Sequence, residues 1–190
     1  MRTSEIDLLI VPGWTNSGPD HWQSRWQRHF KTARRIEQAE WDEPRLADWV
    51  ERLVAEVSAA TRPAVLVGHS CGVSAIVHAA PRLVSSRLVG AFLVAPPDLE
   101  GADNWIAKEG GFWPVPLHPL PFPARLIGSS DDPYCSVERT QQFGAAWGAD
   151  TSIIAGAGHL STASGHGPWP EGLLTFGVFL RSLGDVPGNA

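Results

Sequence analysis

Apolar residues fall along this chain in two alternating rhythms: short unbroken runs, and longer stretches in which they return every three or four positions. The run "DLLIVPG", residues 7–13, predicts a strand covered on both faces, because an unbroken apolar run closed by Pro-Gly suits a parallel sheet. "AVLVGHS", "RLVGAFLVAPP", "ARLIGSSDD" and "TSIIAGAGH" repeat that signature and predict four more strands. Between them, "DHWQSRWQRHF" sets Trp22, Trp26 and Phe30 four apart, one stripe of a helix. "DEPRLADWVERLVAEV" predicts a second helix, with Pro44 in its first turn and Leu46, Trp49, Val50, Leu53, Val54 and Val57 at helical spacing. "VSAIVHAA" predicts a third, stopped by Pro81, and "EGLLTFGVFLRSL" a last one behind Pro170. Strands alternating with helices define an α/β fold, a mostly parallel sheet with helices on both faces. No repeat or linker divides the 190 residues, so one domain spanning 1–190 is expected.

One segment departs from both rhythms. Residues 96–123 carry seven prolines together with Trp105, Phe112 and Trp113, and no period holds through them. A stretch this long inside a compact domain is either functional or disordered, and its aromatics favour an ordered loop packed over something.

Composition narrows the function classes. Hydrophobic residues make up 43% of the chain, enough for a real core, and the net charge of −5 contains no run of five like charges. The longest basic cluster is "TARR", which argues against a nucleic-acid partner, since phosphate binding needs a concentrated basic face. "LLIV" near the N-terminus is too short for a signal or membrane-spanning segment, so a cytoplasmic protein is expected. Cys71 and Cys135 stand 64 positions apart and form no C-x-x-C, which predicts free thiols rather than a disulfide framework or a zinc site. No histidine pair has the H-E-x-x-H spacing, and neither a metal nor a cofactor is expected.

Candidate chemistry concentrates in "VLVGHSCGVSA", where His69, Ser70 and Cys71 stand between Gly68 and Gly72. G-x-S-x-G places a serine on a sharp strand-to-helix turn, with small residues flanking it so that the strained backbone can pass. The five-residue pattern alone is a weak signal. Its position after a predicted strand and at the start of a predicted helix is the setting the motif requires. A serine hydroxyl is a poor nucleophile at neutral pH, so it needs a base to take its proton and a carboxylate to orient that base. "RLIGSSDDPYC" ends a strand on Asp131 and Asp132, and "IIAGAGHLS" ends the next on His159, the chain order Ser, acid, His of an α/β-hydrolase. His159 is the candidate base, with His166 in "SGHGPWP" as its rival. Pro133 fixes a turn directly behind Asp132, which selects Asp132 as the acid and leaves Asp131 as a solvated neighbour or turn cap. His69 adjoins the serine, so its side chain should point elsewhere; His21, His29 and His78 read as surface or packing residues, and His118 lies in the proline-rich stretch. Two main-chain N–H groups complete the set as a candidate oxyanion hole, those of Cys71 and of Trp14 in "PGW". Both lie at the edge of the sheet where open α/β folds bind ligands.

Taken in order, "VPGWTNSGPDHW", "GHSCG", "VAPPD", "SSDDPYCSVER" and "GAGHLSTASGHGPWPEG" resemble the RBBP9/YdeN family of small serine hydrolases, members of the α/β-hydrolase superfamily, over nearly the whole chain. The resemblance implies a minimal α/β-hydrolase fold with no separate lid domain and a sheet lacking the usual first strands. Position by position it implies a triad of Ser70, Asp132 and His159. Pro12-Gly13 replaces the His-Gly of many α/β-hydrolases, as this family often does. The expected activity is cofactor-free hydrolysis of small carboxylic esters through an acyl-enzyme, short acyl chains being preferred. Trp14, Trp105, Phe112 and Trp113 are candidate walls of the substrate pocket, or else large residues completing the core. An amidase or thioesterase on the same triad, and a protein-binding module that keeps the hydrolase fold, are the alternatives.

Overall fold

In a computed structural model, which describes residues 1–84, 87–100, 102 and 104–184, the predicted apolar runs pair into one sheet. Its strands are β1 (Asp7–Val11), β2 (Ala33–Arg35), β3 (Ala64–His69), β4 (Leu88–Val94), β5 (Ala124–Ser129) and β6 (Asp150–Ile154). They lie in the order β2-β1-β3-β4-β5-β6, and every neighbouring pair is parallel. The helices are α1 (Trp22–His29), α2 (Leu46–Ser58), α3 (Cys71–Ala79), α4 (Val137–Trp147) and α5 (Pro170–Gly184).

Side-chain alternation explains why the strands are apolar at every position. Leu9, Val11, Leu66, Leu93 and Leu126 face one side and join a core with α2, α3 and α4. Leu8, Ile10, Val65, Val67, Phe92 and Ile127 face the other and join a core with α1 and α5. A strand covered on both faces has no solvent-facing row, hence the continuous runs. The second core is strongly aromatic: the Trp22 ring meets Trp26 at 4.9 Å and Trp169 at 5.2 Å, both edge-on. This geometry suits the ring quadrupoles.

Two elements have no counterpart among the predicted ones. β2 is the three-residue edge strand "ARR", too short and too polar to show a period, and its arginines are held by Glu56 on one side and by Asn16, Gln27 and Ser24 on the other. α4 buries only Thr140, Phe143, Gly144 and Trp147, a thin stripe with a glycine in it, and is capped by Ser136, whose Oγ accepts from the Arg139 N–H at 3.1 Å. Pro44 precedes α2 instead of sitting in its first turn. The Leu46 N–H is taken by the Gly110 carbonyl at 2.8 Å, which starts the helix one residue after Arg45. Pro170 does open α5, and α3 ends at Ala79, just ahead of a 3-10 turn through Pro81.

The chain order places a switch point in the sheet. From β1 it passes outward to β2, then returns to the other side of β1 as β3, so the loops leaving β1 and β3 diverge at their C-terminal ends. The buried Gln23 side chain fills that fork, its amide donating to the Val11 carbonyl at 3.1 Å and the Val67 carbonyl at 3.0 Å. Strand ends that have parted keep their carbonyls satisfied in this way.

Candidate active site

Ser70 sits between β3 and α3 with φ 55° and ψ −129°, a sparsely populated region for a residue bearing a Cβ. The turn is fixed on both sides: the Ser70 N–H donates to the Val94 carbonyl at 3.0 Å, and the Ser70 carbonyl accepts from the Val73 N–H at 2.8 Å. The glycine two residues on is required by space. A Cβ at Gly72 would lie 2.2 Å from the Val11 carbonyl oxygen and 2.5 Å from that of Pro12. At Gly13, in the loop after β1, a Cβ would lie 2.7 Å from the Ser70 Cβ. The two loops therefore meet backbone to backbone around the serine.

That approach brings Trp14 beside Cys71. Burial pushes the Cys71 thiol up to about 11, against smaller opposing effects of the nearby Trp14 N–H and Ser70 hydroxyl. A thiol held protonated in this way is not a nucleophile at neutral pH. Cys71 is also the first residue of α3, and a first-turn N–H has no acceptor within its own helix. The Trp14 loop is pinned from behind, by its indole N–H to the Asp42 carbonyl at 2.8 Å and by the Thr15 N–H to the Trp41 carbonyl at 3.1 Å.

The loops after β5 and β6 meet opposite the serine. His159 Nδ1 lies 3.0 Å from both carboxylate oxygens of Asp132, whose side chain is only 2% exposed. With the Nδ1–H donated to the Asp132 carboxylate, the neutral imidazole tautomer carries its free lone pair on Nε2. Asp132 is itself oriented by the Tyr134 N–H, which donates to Oδ1 at 2.9 Å across Pro133. The Tyr134 ring packs edge-on against the His159 ring at 4.6 Å.

The remaining histidines separate by environment. His69 donates from Nε2 to the His159 carbonyl at 2.9 Å, so it supports the loop and not the serine. Burial, with His21 and His159 adding to it, holds His69 well below the usual range and therefore neutral. His21 caps α1, its Nδ1 accepting from the Gln23 N–H at 3.2 Å, and burial lowers it to about 4. The sequence places His21 among surface or packing residues and turns His69 away from the serine, but identifies a partner for neither; the adjacency of His69 to the serine was the available signal. His166 pairs with Ser164 Oγ at 3.3 Å, and His78 bonds the Phe112 carbonyl.

Ser70 and His159 open together onto a cleft of about 470 Å³, whose walls also include Trp14, Asn16, Leu99, Ile106 and Tyr134. Trp105, Phe112 and Trp113 do not line it, which corrects the expected pocket. Phe112 is fully buried edge-on against Trp49 at 5.4 Å, and the Trp105 indole turns to the Pro44 carbonyl with the Arg45 guanidinium over its ring. Trp113 is half exposed elsewhere. The proline-rich segment does reach the site, through Pro97, Asp98, Leu99, Ala102, Asn104 and Ile106. Among the described residues no group of three or more His, Cys, Asp or Glu could hold a metal ion, and no helix is long and apolar enough to cross a membrane.

An all-parallel sheet with a strained serine at the turn after β3 and an Asp–His pair from the loops after β5 and β6 defines a small α/β-hydrolase. Residues 8–177 match the model of the serine hydrolase family, and the chain belongs to that family, the RBBP9/YdeN group. A YdeN-like hydrolase from Pectobacterium atrosepticum superposes with a TM-score of 0.84 at 31% identity, over 95% of this chain and 94% of that one. The ydeN gene product of Bacillus subtilis gives 0.71 at 20% identity, over 93% and 97%. The esterase RhEst1 from Rhodococcus sp. ECU1013 shares the fold, with a TM-score of 0.61 at 14% identity over 98% and 93%. No curated protein sequence matches the chain.

Proposed function

We propose that the protein hydrolyses small carboxylic esters through an acyl-enzyme on Ser70. The observation that carries this reading is the double contact of His159 Nδ1 with Asp132, in the cleft that also holds the elbow serine. His159 Nε2 accepts the Ser70 proton as Oγ attacks the ester carbonyl, and Asp132 keeps the imidazole oriented and stabilises its positive charge. The oxyanion is received by the main-chain N–H groups of Trp14 and Cys71. Collapse of the tetrahedral intermediate expels the alcohol with the proton from His159, after which a water attacks the acyl-enzyme by the same route.

Several features support an ester of modest size. The cleft of about 470 Å³ lies at the lower end of small-molecule sites, and Leu99, Ala102 and Ile106 give one wall an apolar lining. Trp14 and Tyr134 stand at its mouth, 51% and 58% exposed, where flat rings can cover a bound group. RhEst1, which shares the fold, is an esterase. Kinetics on aryl esters of increasing acyl length test the reading: acetate and butyrate should turn over faster than long chains, and Ser70→Ala should lose the activity. Faster turnover of long chains would overturn the size argument, and turnover that survives Ser70→Ala would overturn the mechanism.

A further inference from the structure

The loop carrying His159 is tied down at five consecutive residues. The Gly156 N–H donates to Ser130 Oγ at 3.0 Å, the Ala157 N–H to Ser129 Oγ at 3.0 Å and the Gly158 N–H to Asp131 Oδ1 at 2.8 Å. On the far side, the His159 carbonyl accepts from His69 Nε2 and the Leu160 carbonyl from Trp22 Nε1, each at 2.9 Å. All five partners are side chains, and three come from the sequence "SSD" at the end of β5.

The chain needs these ties because its own backbone has little preference there. Gly156 and Gly158 stand at φ 63° and 53°, conformations that glycine reaches freely but that it leaves as freely. The one local bond of the turn, from the Leu160 N–H to the Ala157 carbonyl at 3.1 Å, closes the loop behind the histidine but does not anchor it to the rest of the sheet edge. Asp131 supplies the last tie on the N-terminal side of the histidine, and its acceptor oxygen is itself fixed by the Ser129 hydroxyl at 2.7 Å.

We infer that Asp131, braced by Ser129, is a positioning residue for His159: it fixes the Ala157–Gly158 peptide that leads into the histidine, as His69 fixes the peptide behind it and Asp132 fixes the ring. The inference rests on the hydrolase reading and gives the paired aspartates separate tasks, one on the imidazole and one on the backbone. Asp131 works as an oxygen acceptor and not through its charge. The carboxylate is exposed, so water screens its field, whereas the hydrogen bond to Gly158 is local and directional.

The test compares Asp131→Ala with Asp131→Asn in butyrate-ester kinetics, each preparation normalised to the sites that a fluorophosphonate labels at completion. Asparagine keeps an oxygen for Gly158 and Ser129; alanine removes it. With the histidine free to drift, kcat per labelled site should fall about 10–100-fold in Asp131→Ala while KM stays within about twofold, the loss typical of removing a supporting partner. Asp131→Asn should recover to within about threefold of wild type with an unmoved pH profile. Undiminished kcat per labelled site in Asp131→Ala would overturn the inference, since a merely structural defect lowers the number of labelled sites only. An Asp131→Asn as slow as Asp131→Ala, with its pH profile shifted, would also overturn it by showing that the charge acts. If wild type itself cleaves no ester and takes no label, the hydrolase reading falls and this inference with it, an outcome distinct from the other two.

Discussion

Replacing Ser70 by glycine should make the protein more stable than replacing it by alanine, although both variants lose the same hydroxyl. The serine is held at φ 55° and ψ −129° by hydrogen bonds to Val94 and Val73 that neither substitution removes. Its Cβ faces Gly13, where a second Cβ would come within 2.7 Å, so the side of the turn that carries the side chain is already full. A Cβ-bearing residue kept in such a region costs about 1–3 kcal/mol. Alanine retains that strain, while glycine releases it and gives back about 0.5–1 kcal/mol through the greater freedom of the unfolded chain. The difference favours Ser70→Gly by about 1 kcal/mol, or roughly 2–4 °C in Tm for a chain of this size. Thermal and urea unfolding of the two variants, side by side, reads it. A Ser70→Gly variant equal to or less stable than Ser70→Ala would refute the claim that the fold stores strain at its nucleophile.

Other perturbations follow from the same geometry. Gly72→Ala should destabilise by about 1–3 kcal/mol or prevent folding, because its Cβ meets the Val11 and Pro12 carbonyls at 2.2 and 2.5 Å, as urea midpoints will report. Cys71→Ala should keep most esterase activity, since the thiol is protonated and only the main-chain N–H is used; activity lost in step with Ser70→Ala would contradict this. His21 binds a proton near 6.5 when unfolded but only near about 4 when folded, so the unfolded chain is favoured as pH falls through that window. The contribution of His21 should be constant above pH about 7 and decline by up to about 3 kcal/mol toward pH about 4, at about 1.4 kcal/mol per pH unit of displacement, with His69 adding in the same sense. Tm measured from pH 8 to 4.5 should fall less steeply in His21→Asn, whose side-chain oxygen can still cap α1.

The legible part of the fold was the part whose residues face one environment throughout. β1, β3, β4 and β5 are buried on both faces, and a continuous apolar run records that directly. β2 is an edge strand whose arginines work by pairing, and α4 buries a narrow stripe in which Gly144 replaces a large residue because its Cβ would meet Thr151 Oγ1 at 2.0 Å. Neither leaves a hydrophobic period to read. In the candidate site, Ser70, Asp132 and His159 were legible because each lies in a loop leaving a strand at the C-terminal edge of the parallel sheet, where topology gathers such loops. The pocket wall was not. Aromatic size marked Trp105, Phe112 and Trp113, yet large rings are equally suited to filling a core, as Phe112 does; the smaller Leu99, Ala102 and Ile106 face the cleft. The ties on the His159 loop were hidden for another reason: serines and an aspartate bonding backbone N–H groups 26 to 28 residues away leave no local pattern.

The central claim is that Ser70 is the activated nucleophile, and the position of a covalent adduct tests it most directly. Folded wild-type protein treated with a fluorophosphonate and digested for peptide mass spectrometry should carry a single adduct on Ser70. Labelling should slow by orders of magnitude in His159→Gln and vanish in Ser70→Ala. No adduct on folded protein, or an adduct on another residue that forms equally well without His159, would contradict the account.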